Sequence, residues 1–437
     1  MKMVNREDSN SFNRILLKGG RIIDSARNLD KVCDLLIEGD KVLSCDLPGT
    51  LGKVEGATEI DVTGKIVVPG LVDIHVHLRD PGEEWKETII TGSEAAVAGG
   101  FTDIMCMPNT RPVNDSAAVT EYILDRAKDS VCNVHPIGAI SIGSKGEAMA
   151  PYGELSDAGC VAFSDDGRPV WNSQLMRRAL EYCSMLGRVL SVHEEDLSLS
   201  DGFSMNESPL SVRMGLKGMP DAAENVMIAR DIELSRLTGG RVHFCHVSTA
   251  RGVQLIRRAK EDGIPVTAEV SPHHLFLNEN AVEGYNTQAK MSMPLRSEED
   301  IEALIAGLNE GVIDCIASDH APHEADSKNI EFDRASFGIL GLQTTVPILF
   351  QLVNKGKISL ERMLQCLGES AWKSFDLEPR TLATGEVANI TIIDPIHEFV
   401  LSQEFNKSKS FNSPFWGHSF QGAAVYTIVN GKVRYAL

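Results

Sequence analysis

Six residues of metal-binding type stand out in this 437-residue chain: His75, His77, Asp166, His193, His246 and Asp319. His75 and His77 fall within VPGLVDIHVHLRDPG, residues 68–82, which opens as a near-continuous apolar run. That is the pattern of a strand buried on both faces of a parallel sheet. Residues two apart on a strand point to the same side, so both imidazoles face one point. Neutral imidazole suits zinc, iron and similar ions. Arg79 and Asp80 follow at once, and a charged cluster directly behind a buried strand belongs to a functional rim. The other four residues each lie at the end of a short apolar run: CVAFSDD, RVLSVH, VHFCHVS and DCIASDH. Singly, a histidine or aspartate at a strand end is more often a helix cap or a satisfied core group. Six of them at five strand ends make that coincidence hard to sustain. Four imidazoles and two carboxylates suffice for two divalent ions, with Asp166 as the natural bridge.

A scaffold must bring these strand ends together. From Ile66 onward, short apolar runs alternate with helical segments eight times, the remaining strand candidates being FTDIMCM, NVHPIGAI and PVTAEVS. Helical segments are punctuated in the expected way. Residues 84–98 end at Gly99-Gly100, 115–129 start behind Asn114 and Asp115, and 172–186 stop at Gly187. Residues 221–238 run from Pro220 to Gly239-Gly240, and Ser297 opens 298–310 with Asp300 in a capping-box position. Eight β-then-α units predict an α/β fold, a (β/α)8 TIM-type barrel over residues 66–378. No Gly-rich phosphate loop follows the first strand, which disfavours a doubly wound sheet. Barrel active sites lie at the C-terminal strand ends, where all six residues sit. Residues 14–65 and 379–437 read as short strands with Gly19-Gly20, Gly39-Asp40 and Asn430-Gly431 as turns. They predict a small composite β domain built from both chain ends. Residues 1–13 read as a disordered tail. His135, His243, His397 and His418 lack the strand-end pattern and read as structural or exposed. His273 and His274 are rim candidates after strand seven, and His320 points away from Asp319.

Bulk properties narrow the function. Hydrophobic residues make up 43% of the chain, enough for a large core. A net charge of −19 excludes a nucleic-acid surface, which needs a basic face. An anionic substrate would therefore need a local positive site. No apolar run reaches membrane-spanning length, and MKMVNREDSNSFN has no signal-peptide core. Nine scattered cysteines without a CxxC pair read as reduced thiols, so a cytoplasmic setting is expected.

The motifs HVHLRDPG, CMPNTRPV, VAFSDDG, SVHEED, FCHVST, SPHHL, and ASDHAPH followed by FGILGLQT resemble those of bacterial type I dihydroorotases in the amidohydrolase superfamily. The resemblance runs over about residues 14–437. It implies zinc, one or two ions per subunit, with His75, His77 and Asp319 holding one, His193 and His246 the other, and Asp166 shared. It implies that Arg79, Asn109 and His323 hold a substrate carboxylate, with His77 also near the substrate and Phe337-Gly338 giving a backbone contact. The charged segment between His323 and Phe337 resembles a mobile active-site loop. One position departs from the family: Ser292 stands where an asparagine contacts substrate, and a hydroxyl has shorter reach. The resemblance also implies a metal-bound water as nucleophile and Asp319 as proton carrier. The reaction would interconvert N-carbamoyl-L-aspartate and L-dihydroorotate in pyrimidine (UMP) biosynthesis. The resemblance implies a homodimer, and it allows association with aspartate transcarbamoylase.

Two other readings remain at this level. Another cyclic amidohydrolase, of the dihydropyrimidinase or allantoinase type, would carry a carboxylated bridging lysine and lack the HLR arginine. An inactive structural paralogue partnering aspartate transcarbamoylase would have lost ligands, whereas all six are present here.

Overall fold

The computed structural model describes residues 14–437. The expected N-terminal tail lies outside the described residues. Strands β1 (Arg14–Asp24), β2 (Leu29–Glu38), β3 (Lys41–Asp46), β4 (Ala57–Asp61) and β5 (Ile66–Pro69) open the chain. β1 and β2 pair antiparallel, and the register shifts between Leu17 and Gly20. β5 joins β1 to the C-terminal strands β17 (Ile390–Val400), β18 (Ser419–Val429) and β19 (Lys432–Ala436), so one sheet runs β19-β18-β17-β5-β1-β2-β3. Its core, with Leu17, Ile22, Leu35, Val67, Ile390 and Ile428, draws on both ends of the chain.

The strands between are parallel: β6 (Leu71–Val76), β7 (Phe101–Cys106), β8 (Asn133–Pro136), β9 (Gly138–Ala139), β10 (Phe163–Ser164) and β11 (Leu190–Val192). β12 (Met205–Asn206) and β13 (Gly218–Met219) form a separate short pair. β14 (Val242–Phe244), β15 (Val266–Val270) and β16 (Cys315–Ile316) complete the series. Two parallel sheets result, β6-β7-β8 and β16-β15-β14-β11-β10-β9. β8 and β9 are successive parts of one strand, broken at Ile137, whose N–H still bonds Cys106 O. Past β16 the chain returns to β6 through a Val76–His320 bridge, with His77 N–H bonded to His320 O. The eight strand candidates thus become a (β/α)8 arrangement whose last contact is a single bridge.

The run from Ile66 to His77 is two strands rather than one. Pro69 lacks an N–H, and Gly70 passes so close to Thr102 that a Cβ there would lie 1.9 Å from Thr102 Oγ1. β5 therefore joins the composite sheet and only β6 enters the barrel. Helices follow the sequence punctuation with shorter ends: Ile89–Gly99, Ala117–Ala127, Ser173–Met185, Ala222–Thr238 and Glu298–Asn309. The first begins late because Thr88, not the preceding Pro-Gly segment, supplies the cap. Ser297 and Asp300 form the reciprocal capping box. The main core packs strand residues such as Phe101, Phe163 and Phe244 against helix residues such as Leu180, Ile228 and Ile256.

Candidate active site

All six metal-type residues stand at the C-terminal ends of barrel strands. His75 is in β6 and His77 just past it; Asp166, His193, His246 and Asp319 follow β10, β11, β14 and β16. The extended backbone breaks there, since His246 (φ 33°) and Asp319 (φ 46°) are in the left-handed region, as is Arg79 (φ 60°). Such conformations cost non-glycine residues energy and concentrate at functional sites. Here they turn side chains from the strand direction into the mouth.

The side chains converge. His77 Nε2 lies 3.1 Å from Asp319 Oδ1 and 3.4 Å from Asp166 Oδ2. His75 Nε2 is 3.4 Å from Asp166 Oδ1 and 3.6 Å from Asp319 Oδ1. Asp166 Oδ1 also approaches His246 Nε2 at 3.3 Å and His193 Nδ1 at 3.6 Å. Asp166 therefore touches both histidine pairs. Three overlapping groups have donor atoms within 4.8 Å of one another: His75, His77 and Asp166; His75, His246 and Asp319; and Asp166, His193 and His246.

Second contacts fix which ring nitrogen faces inward. His75 Nδ1–H donates to Glu269 Oε1 at 2.6 Å, leaving a buried Nε2 without a hydrogen-bond partner in the cage. His77 Nδ1–H donates to Asn109 Oδ1 at 2.9 Å, and His193 Nε2–H donates to Glu195 Oε2 at 2.8 Å. A histidine whose outer nitrogen is held in this way presents its other nitrogen to a metal. Electrostatics agree. Burial disfavours a charge on His75, yet Glu269, Asp166 and Asp319 outweigh it and hold its pKa well above the ordinary value. Burial also opposes charge on His193, but Asp166 and Glu195 push it up to about 10. Asp166, despite burial, is held well below the usual carboxylate range by His75, His193 and His246. The cage demands positive charge, and its imidazole and carboxylate donors fit a divalent metal ion.

One cleft opens onto this cage. Arg79, Asn109, Ser292, His323, Phe337 and Gly338 line it together with His77, Asp166, His193, His246 and Asp319. Arg79 is buried; it donates through Nη2 to His323 Nε2 at 3.3 Å and through Nε to Pro322 O at 3.3 Å. Burial, then Arg79, holds His323 well below the ordinary histidine pKa, so it is neutral. Gly338 has φ +145°, and a Cβ there would sit 2.6 Å from Ala321 O and 2.8 Å from His323 Cδ2. Only glycine allows that approach. Phe337 stacks on Phe203, ring centroids 4.8 Å apart.

Two lysines bind the segment between His323 and Phe337 in this conformation. Lys328 Nζ donates to Ser336 O and Gly338 O, and Lys290 Nζ to Phe332 O and Asp333 O, at 2.7–3.1 Å. Both lysines are buried, and burial pushes their pKa values down to about 7 and about 8. His273 and His274 are buried; His274 Nε2–H donates to Met293 O, and neither lines the cleft. His320 turns from the cage to Glu87.

Sequence reasoning missed the supporting residues. Glu269, on β15, accepts from His75, from His243 Nε2–H at 3.1 Å and from the His246 N–H at 3.3 Å. Its signal was a lone carboxylate inside the apolar run AEV. Asp73 accepts from the N–H groups of Ser318 and His75, tying β16 to β6. Its signal was an aspartate two residues before His75. Glu195 had a signal in SVHEED, two residues past His193. Phe203, stacked on Phe337, and Leu197, on the cleft wall, had none.

Comparison with known proteins follows the same lines. A family model described as dihydro-orotase-like matches residues 64–251. A dihydroorotase from Geotalea daltonii is 49% identical over 420 residues, 96% of this chain and 98% of that protein. One from Syntrophus aciditrophicus is 46% identical over 424 residues, 97% of this chain and 99% of that one. Among solved structures, the L-hydantoinase (dihydropyrimidinase) of Arthrobacter aurescens superposes with TM-score 0.85 at 27% identity, covering 97% of this chain and 96% of that one. The dihydropyrimidinase of Brevibacillus agri gives TM-score 0.84 at 23% identity over 97% and 95% of the two chains, a likeness of fold alone.

Proposed function

The chain belongs to the dihydroorotase family, and from that premise we infer how its cleft interconverts N-carbamoyl-L-aspartate and L-dihydroorotate. It is a hydrolase acting on a cyclic amide, in the service of pyrimidine biosynthesis. The single observation that carries the reading is the pairing of the His/Asp cage with a buried arginine in one cleft. His75, His77, Asp166, His193, His246 and Asp319 would hold zinc, one ion or two, with Asp166 shared. Bound there, zinc supplies Lewis acidity, making water a better nucleophile near neutral pH and polarising the ring carbonyl.

The chain's own residues do the rest. Asp319 is held below the usual carboxylate range because His75 and His77 outweigh the opposing effect of burial. It is therefore ionised and ready to take a proton from the attacking water. As the ring C–N bond breaks, Asp319 returns that proton to the leaving nitrogen, and the carbonyl carbon becomes a carboxyl group whose remaining proton passes to solvent. In the synthetic direction the same steps run backwards and release water. Arg79 offers a planar fork to the substrate's fixed carboxylate, and Asn109, His323 and the Phe337-Gly338 backbone complete its seat. Arg79 answers the net negative charge of the chain locally. Ser292 supplies a shorter contact than the family asparagine.

The dihydropyrimidinase and allantoinase alternative lacks support, because strand four presents Asp166 rather than a lysine and Arg79 lines the cleft. Homodimerisation, docking on aspartate transcarbamoylase and cytoplasmic residence extend the proposal. Among the described residues, no helix is long and apolar enough to cross a membrane. The test is a parallel assay of L-dihydroorotate, dihydrouracil and allantoin with wild type and Arg79→Ala. Wild type should turn over dihydroorotate alone. Arg79→Ala should lose about 1.5–3 kcal/mol of dihydroorotate binding, the range for a hydrogen-bonded charged group. Preferred turnover of a ring without a carboxylate would contradict the reading.

A further inference from the structure

We propose that Asn412 is a positioning residue for the carboxylate end of the substrate, reaching the site from the C-terminal β segment. The inference rests on the reading of His323 and Gly338 as substrate contacts. Asn412 lies between β17 and β18 and its side chain is buried. Its Oδ1 accepts the His323 N–H at 2.9 Å, and its Nδ2 donates to Ala321 O at 2.8 Å and to Gly338 O at 3.0 Å. Its own carbonyl accepts the Leu340 N–H at 2.9 Å. One planar amide thus ties together the two backbone segments that carry His323 and Gly338. Ala321, His323 and Gly338 all line the cleft.

The residues just before Asn412 are anchored on the loop that follows Arg79. Ser410 Oγ donates to Lys86 O at 2.6 Å, and Ser408 Oγ bonds Glu87 Oε2. Lys86 and Glu87 belong to the loop that leaves β6 through Arg79. The stretch 408–412 therefore links the loop that follows Arg79 to the segments that carry His323 and Gly338, beside the direct bond between Arg79 and His323. The amide is chemically specific. An acceptor and two donors in one short plane are available only from asparagine at this length. Aspartate offers no donor, and alanine leaves Ala321 O and the His323 N–H unpaired, with Gly338 O keeping only its bond from Lys328. The Ala321 N–H to Ile339 O bond remains in either variant, so the segments stay together while their aim changes.

The experiment is steady-state kinetics on L-dihydroorotate with zinc-loaded Asn412→Ala, Asn412→Asp, His323→Ala and the Asn412→Ala/His323→Ala double variant, alongside melting temperature. KM should rise about 10- to 100-fold in both Asn412 variants, as displacement of a positioned group does, with a smaller change in kcat. On the His323→Ala background the further rise should be clearly smaller, because part of the effect passes through that residue. Loss of kcat and melting temperature together at unchanged KM marks a merely structural residue and overturns the proposal. A raised KM in His323→Ala with wild-type KM in both Asn412 variants overturns the positioning role alone. An unchanged KM in His323→Ala overturns the underlying substrate reading and the role with it. Should Asn412→Ala melt too early to assay, Asn412→Asp, which keeps the acceptor for His323, decides between these outcomes.

Discussion

The cleft has two halves that are held in different ways. In the metal half, every donor sits on or within three residues of a barrel strand, and three of the four histidines are braced by a second side chain: Glu269, Asn109 or Glu195. In the carboxylate half, His323, Phe337 and Gly338 lie on irregular backbone. Their support comes from side chains binding main-chain carbonyls: Lys290, Lys328 and Asn412. The first half is rigid because the strands are. The second is assembled from distant parts of the chain and is where members of one fold can diverge in substrate.

The largest expected effect lies in the metal half. Asp319→Asn should remove proton transfer and lower kcat about 100- to 10,000-fold while the protein stays folded, as read by kcat beside a circular-dichroism melt. Near-wild-type kcat would make Asp319 a bystander and erase the contrast. Next comes the brace. Glu269→Gln removes the charge that aligns His75 and should weaken metal affinity about 10- to 100-fold, measured by chelator competition. Unchanged affinity would mean that the strands alone set the cage.

The last effect belongs to the carboxylate half and is read in stability rather than in turnover or metal affinity. Burial pushes the Lys328 ammonium down to about 7 in the folded protein, whereas an unfolded lysine titrates near ~10.4. Between these values the unfolded chain binds more protons, so folding stability contributed by this group rises with pH across about 7 to 10, by at most about 1.4 kcal/mol per pH unit. Below about 7 both states are protonated and the burial penalty stands in full. Lys328→Met lacks the group, so its stability should rise less over that window than the wild type's in paired thermal melts. Parallel profiles would show that the ammonium is not buried as described.

The same contrast explains what was legible in the sequence. Strand ends are short-range features: an apolar run followed by histidine or aspartate marks a position and a direction together. That is why the six cage residues and the eight-fold alternation could be read directly. The break between β5 and β6 was signalled by Pro69-Gly70 but masked by the apolar residues on both sides, and the missing Pro69 N–H and the close passage of Thr102 explain it. Glu269 was hidden inside a strand whose neighbours are apolar. Lys290, Lys328 and Asn412 act on backbone carbonyls from up to 91 residues away, and such bonds leave no pattern in spacing or hydropathy. Asn109 and His323 were reached through family resemblance rather than periodicity, for the same reason, whereas Arg79 was marked as a rim residue by its place behind β6 and owed only its carboxylate role to the resemblance.

The most direct test of the central account, a metal cage serving a carboxylate-bearing ring, is stepwise zinc titration of chelator-stripped protein with L-dihydroorotate turnover followed at each step. The account predicts no turnover in the stripped protein and activity that rises with bound zinc to a plateau at one or two ions per chain. Full turnover by metal-free protein, or none by protein loaded with zinc at the cage, would contradict it.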